Sequence, residues 1–417
     1  MRRLLLYPAE LRALGARLSG PAGVPAALYS GPVTTTAALV LPPEVDPLRQ
    51  RGRKLLVVLV WITAVVGAGG AVFFASISGS IAGTSLALVY ALIPLPVALF
   101  AYWWLDRVEP EPFRYKAAAF VWGAVVAVGI ALPVEIAMSR LGMNEEWLTA
   151  VGAPVAEEFA KGLFVLLTLV RVRRIIDGVL DGLVVSGLVA LGFAAMENVG
   201  YYAASYLGFD EVPYSGAEMA TATFVVRGLF SPFAHPLFTA AIGIAMGLAV
   251  HRSSRLQRWG LLALGYLASV GLHAIWNGAI VVGGGIGFLL AYIVLAALLL
   301  GLGVTAVVLR MSQIDILSRA LTDIARRGWI HPAEVPWLVR FARRRQARAY
   351  AARYGPVAVD AVKRYQRLAT EVAFLHDAVM TGVAKPGGPD RTYALLDRMW
   401  HLRPFLHLPP ALPPGMK

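Results

Sequence analysis

The stretch APVAEEFAKGLFVLLTLV, residues 153–170, sets Glu157, Glu158 and Lys161 inside an otherwise apolar run. Its apolar residues read as a membrane-crossing helix. Its charges read as something such a helix avoids, because an ionisable side chain at the bilayer centre costs about 2.5–3.5 kcal/mol even on insertion scales. The spacing resolves part of the conflict. Glu157 and Lys161 are i,i+4 and Glu158 and Lys161 are i,i+3, so on a helix the ammonium lies beside either carboxylate.

The rest of the chain supplies the membrane setting. Of 417 residues 58% are hydrophobic and only 15% charged, with a mean hydropathy of +0.65. Soluble domains carry nearer 25% charged residues, so this is the composition of a membrane protein. A crossing takes about 20 helical residues. Apolar segments of that order lie at 55–78, 84–104, 117–139, 151–170, 179–203, 226–250, 259–282 and 285–309. These runs are continuous rather than alternating, which excludes a closed barrel. The expected fold is all-α, a polytopic membrane protein with about eight transmembrane helices and a helical tail. The absence of cysteine excludes disulfides and thiolate metal sites. The N-terminal apolar run, Leu4 to Tyr7, is too short for a signal-peptide core.

A net charge of +13 raises the question of nucleic acid. With a cytoplasmic N-terminus, all of the 38 Lys and Arg except Arg140, Arg227 and Lys161 fall in cytoplasmic loops or termini. This positive-inside pattern predicts a cell-membrane protein with both termini cytoplasmic. The basic charge then reads as topology and contact with anionic lipids, and no nucleic acid is expected.

Three regions are expected. Residues 1–54, with SGPAGVPAALYSGPVTTT, read as a disordered basic cytoplasmic leader. Residues 55–310 form the membrane domain. Residues 311–417 form a basic cytoplasmic tail in which SQIDILSRALTDIARRGWI, FARRRQARAYAARYG and DAVKRYQRLATEVAFLHDAVM have helical spacing and VAKPGGPD breaks it.

Four crossings carry polar residues that packing does not explain: Glu157, Glu158 and Lys161; then Glu197 and Asn198; then His235; then His273 and Asn277. Counted along helices of alternating direction, they lie roughly 9–14 Å below the outer surface, at one depth. Pro232 and Pro236 flank His235 and predict a break in its helix. Peptide hydrolysis needs an activated water and a stabiliser for the developing oxyanion, and a glutamate beside a cation with histidines on facing helices supplies both. Two histidines and a carboxylate also match a catalytic zinc site with an open position. There is no HExxH, so a metal site here is assembled from separate helices.

Taken in order, DRVEPEPFRYKAAAFVWGA, APVAEEFAKGL, DGVLDGLVVSGLVALGFAAMENVGYY, GLFSPFAHPLFTAAIGIAMG and GLHAIWNG resemble the PrsW family of intramembrane proteases, over about residues 100–310. These are distant relatives of the type II CAAX prenyl endopeptidases and the Abi membrane proteins. The CAAX relatives show EExxxR and FxxxH, where this chain has Glu-Glu-x-x-Lys and Phe193-x-x-x-Glu197. The resemblance implies cleavage of a membrane-anchored, single-pass protein near its extracytoplasmic side, as in site-1 cleavage of an anti-sigma factor. It matches the paired glutamates to Glu157 and Glu158 and the motif histidines to His235 and His273. PrsW proteins are classed as metallopeptidases, while the CAAX relatives suggest a metal-free, glutamate-activated water; zinc and a metal-free mechanism both stay open.

On this reading Glu158 or Glu157 is the base, His235 and His273 bind metal or stabilise the oxyanion, and Glu197 is a third ligand or an orienting carboxylate. Asn277 helps hold the oxyanion and Lys161 tunes the carboxylates. The plainer readings are a structural ion pair for Glu157, Glu158 and Lys161, and interhelical hydrogen bonding for Asn198 and Asn277. Glu135 and Arg140 read as interfacial side chains. The rival function is a proton-coupled transporter using the same Glu/His/Lys groups as a relay. Against it, the groups lie off the midplane and no inverted repeat is visible. A membrane scaffold whose basic tail recruits a partner is a third reading. The sequence does not fix the oligomeric state.

Overall fold

The structure is a computed structural model and describes residues 81–171, 176, 178–208, 216–382, 384 and 387–410. The crossing expected at 55–78 and the leader at 1–54 lie outside the described residues. The chain divides into two compact units, with the boundary between Arg310 and Met311.

In the membrane unit the helices are α1 (Ile81–Leu105), α2 (Phe113–Arg140), α3 (Ala153–Arg171), α4 (Val179–Leu207), α5 (Ala217–Val250) and α6 (Arg255–Arg326), the last running on past Arg310. Five of these, all but α3, are long and apolar enough to cross a membrane. The difference from the eight expected crossings has three sources. One expected segment lies outside the described residues. Helix α3 carries Glu157, Glu158 and Lys161, which lower its apolarity. The segments expected at 259–282 and 285–309 form one continuous element, interrupted where Gly284 takes φ +54° and ψ −137°. Glycine has no Cβ to oppose that conformation. At Gly287 a Cβ would stand 1.9 Å from the Ala279 carbonyl oxygen, so the two arms of this turn approach closely.

Helix α4 is the axis of the unit. It is apolar on every side, and 83% of its most apolar stretch is buried, as expected of a helix surrounded by others. Small residues let its neighbours close in, since van der Waals packing rather than hydrophobic transfer holds helices together in lipid. A Cβ on Gly182 would lie 2.1 Å from the Gly243 carbonyl oxygen of α5, and one on Gly192 would lie 2.0 Å from the Phe120 carbonyl oxygen of α2. By contrast only 11% of the most apolar stretch of α6 is buried, leaving Leu264, Leu267, Ile293 and Leu300 facing outward. The composition, the apolar helices and this outward face make the chain a multi-pass membrane protein.

Among the described residues three π-helical turns interrupt this regular packing: Trp122–Ala127 in α2, Leu148–Gly152 before α3, and Val225–Phe230 in α5. Such turns recur at functional sites, because the extra residue per turn re-aims side chains and frees carbonyls. The break predicted near Pro232 follows the third of these. Regular α-helix resumes at Ala234, which puts His235 in the first turn of the segment Ala234–Val250.

In the second unit the end of α6 packs with α7 (Phe341–Ala351), α8 (Pro356–Met380) and α9 (Gly388–Leu402). Its core joins Leu321, Ile324, Leu368, Val372, Leu395 and Met399. The three helical stretches expected from spacing are all present, and the expected break falls between α8 and α9.

Candidate active site

Helix α3 presents Glu157, Glu158 and Lys161 to the interior of the membrane unit, where both glutamates and the lysine are buried. The Lys161 ammonium has three N–H bonds to give and finds three acceptors. These are Glu157 Oε2 at 3.1 Å, Glu158 Oε1 at 2.8 Å and His235 Nδ1 at 3.0 Å. The face of Phe193 lies 3.9 Å from Nζ and completes its surroundings.

The two glutamates differ sharply. Both oxygens of Glu158 are taken. Oε1 receives Lys161 and the His273 Nδ1–H at 3.1 Å, and Oε2 receives the hydroxyls of Thr239 at 2.8 Å and Ser269 at 2.6 Å. Its side chain has no exposed surface. Glu157 accepts one hydrogen bond, from Lys161, and its Oε2 also lies 3.8 Å from His235 Nδ1 and 4.0 Å from His273 Nδ1. Glu157 therefore has acceptor capacity to spare beside two imidazoles.

His235 is held from behind. Its Nε2–H donates to Glu197 Oε2 at 2.7 Å, which leaves the Nδ1 lone pair facing Lys161. Fixing one ring nitrogen by a carboxylate sets the tautomer of the other. Glu197 is itself anchored by Arg227, whose Nη2 reaches the same oxygen at 2.8 Å while Nε reaches Asn198 Oδ1 at 2.8 Å. The guanidinium lies 3.6 Å from the Tyr201 ring. His273 stacks on Phe238, with centroids 4.7 Å apart, and meets the His235 ring edge-on at 5.1 Å. Exposure rises along this chain of contacts, from none at Lys161 to 18% for the Glu197 side chain and 25% for Arg227.

The structure thus brings six of the seven expected site residues into one hydrogen-bonded cluster. The seventh, Asn277, donates its amide to the Thr149 carbonyl at 2.9 Å, within the π-helical turn before α3. Glu197 stands on the far side of the His235 ring from the carboxylate pair. Sequence reading missed Arg227, Thr239 and Ser269. A signal existed for the last two, since Thr239 is one turn after His235 and Ser269 one turn before His273. Arg227 counted only as an outer charge, although it lies at the depth of Glu197 on the adjacent helix.

The site can be tested for a metal on its donors. One ligand atom each from Glu157, Glu158, His235 and His273 lie within 4.8 Å of one another, all four side chains buried. Two carboxylates and two imidazoles suit zinc, so the donor set fits.

Comparison with known proteins shows a family likeness over the region that holds the cluster. Residues 111–302 match the model of the PrsW family of intramembrane metalloproteases. Over this region, somewhat less than half of the chain, the protein is similar to the PrsW family. The match spans α2 to the middle of α6 and includes every residue of the cluster, whereas the second unit lies outside it. Among similar proteins is "Protease PrsW" of Geobacillus kaustophilus, 27% identical over 194 residues, which are 46% of this chain and 78% of that protein. "Protease PrsW" of Clostridioides difficile is 26% identical over 192 residues, 45% of this chain and 76% of its own length. That of Oceanobacillus iheyensis is 26% identical over 194 residues, 46% and 82% respectively. No solved structure matches the chain.

Proposed function

We propose that this PrsW-family protease cleaves a single-pass, membrane-anchored protein of the anti-sigma-factor type near its extracytoplasmic end, with Glu157 as the base that activates water. The observation that carries the assignment is the asymmetry of the glutamate pair. A general base must reach a water with an available lone pair, and Glu157 has one where Glu158 has none. Glu158 acts as the anchor that positions Lys161 and His273.

A peptide entering from the Glu197–Arg227 edge meets the His235 and His273 side chains over Glu157. Glu157 takes the proton of the attacking water, and the Lys161 ammonium offsets negative charge as it develops nearby. Phe193 and Phe238 line the imidazoles and keep bulk water from them. Glu157, Glu158, His235 and His273 are the residues that would hold a zinc ion, which when bound supplies Lewis-acid polarisation of a carbonyl and easier deprotonation of water. The positive-inside pattern supports cytoplasmic termini, an orientation that turns the site toward the extracytoplasmic half. The basic second unit then faces anionic lipids of the inner leaflet.

The test is a mass-spectrometric survey of new protein N-termini in membranes expressing wild type or Glu157→Gln. Termini confined to wild type, close to the outer boundary of single-pass proteins, are expected. Identical sets of termini from two folded, equally abundant proteins would refute the proposal.

A further inference from the structure

The Lys161 ammonium sits among the side chains that could hold a metal ion. Of the four side chains whose ligand atoms converge, three already give a lone pair to Nζ, at 2.8–3.1 Å. Glu157 can serve two cations, since only Lys161 engages it, and Glu158 would give a metal the lone pair it now gives Lys161. His235 cannot serve two. A neutral imidazole has one lone pair, and Glu197 binds the proton on Nε2, so the lone pair sits on Nδ1 alone. Nδ1 is spent on Lys161.

We infer that Lys161 and a divalent cation are alternative occupants of this centre, with the His235 Nδ1 lone pair as the contested ligand. The ammonium is a tethered internal cation that keeps the glutamate pair compatible with the membrane interior when no metal is bound. Metal entry requires it to withdraw from His235, so the chain sets its own metal affinity through Lys161. The position of Lys161 on α3 makes the competition local. It lies one turn from both glutamates, with no flexible segment between them.

The inference rests on the same Glu–His centre as the proteolysis reading, but its readout is metal affinity and not cleavage. Cobalt(II) and zinc are titrated into the full-length protein in detergent micelles, for wild type, Lys161→Gln and Lys161→Met. Cobalt binding is followed by visible absorption, and zinc binding by metal content after desalting. Both neutral variants should bind on the order of tenfold tighter than wild type, the scale on which groups touching metal ligands act. Lys161→Arg, which keeps a cation at the site, should gain nothing. Two neutral variants are used so that one lost to misfolding, judged by size exclusion, leaves the other. Equal or weaker affinity in the folded neutral variants overturns the inference, as does an equal gain in Lys161→Arg or no metal binding by any form. Any of these results can coexist with Glu157-dependent cleavage, and tighter metal binding can be measured in a protein that cleaves nothing, so the two readings fail separately.

Discussion

Both units of the chain bury charged and polar side chains, but they finish the job differently. In the second unit the buried groups are tied to one purpose each. Glu334 accepts from the Tyr365 hydroxyl and pairs with Arg403 at 3.3 Å. Arg344 donates to the Gln366 carbonyl and to Thr370 Oγ1 at 2.9 Å, and the Gln366 amide returns to the carbonyls of Trp337 and Arg344. These contacts clamp α7 to α8, and no carboxylate or imidazole gathers there into a metal-capable group among the described residues. The membrane unit instead draws three carboxylates, two imidazoles and two cations together and leaves one carboxylate underused and one lone pair contested. Polar burial in the second unit serves helix packing, and Trp337 Nε1 and His376 Nδ1 go without a hydrogen bond there, whereas polar burial in the membrane centre leaves acceptor capacity to spare on Glu157.

That contrast can be broken from the site outward. Glu158 is the saturated member of the centre, so Glu158→Leu should behave like the loss of a structural pair. Removing one partner of a buried ion pair costs about 3–5 kcal/mol, and the variant should lose that much in denaturant-titrated unfolding in micelles. A loss under about 1 kcal/mol would show that Glu158 is not the anchor.

Arg227 sharpens the comparison at the edge. It acts on His235 only through Glu197, so Arg227→Gln should lower kcat or metal affinity by about 10- to 100-fold with KM nearly unchanged. Arg227→Lys should recover part of it. A rise in KM alone would instead make Arg227 a substrate contact. Gly182 tests packing without chemistry. Gly182→Ala must push α4 and α5 apart at Gly243, at a cost of about 1–3 kcal/mol. Wild-type unfolding of this variant would contradict the close approach.

The smallest effect belongs to the second unit. Burial holds the His376 imidazole below its ordinary value, although Asp323 at 2.8 Å opposes the shift. The unfolded chain then takes up the proton first, so the stability contributed is complete above about pH 6.5 and is lost as pH falls through the folded value. Hydrogen exchange in α8, corrected for intrinsic rate, should quicken from pH 7.5 to 5.5 by the equivalent of at most about 1 kcal/mol, and His376→Asn should remove the dependence. No change on acidification in the wild type would contradict it.

Much of this was legible in the sequence because lipid allows so few solutions. An apolar run of 20 residues has to be a helix, and a charge within it needs a partner, so Glu157, Glu158, Lys161, Glu197, His235 and His273 stood out and their common depth followed from counting. What periodicity could not give was direction around each helix. It does not tell that Glu197 faces the back of His235, or that Asn277 is spent on Thr149. The π-helical turns add an extra residue per turn, which rotates Arg227 onto Glu197 in a way that a 3.6-residue count does not anticipate. Nor does adjacency in sequence separate Glu157 from Glu158. Only the hydroxyls of Thr239 and Ser269, from two other helices, make one an anchor and leave the other free.

The central claim is that Glu157 does the chemistry and Glu158 holds the site. The most direct test is the cleavage rate of one identified substrate in proteoliposomes containing wild type or Glu157→Gln, with unfolding measured on the same preparations. The account predicts wild-type stability and a rate reduced by about 10²- to 10⁴-fold, the usual contribution of a general base. A folded Glu157→Gln protein that cleaves at the wild-type rate would contradict it.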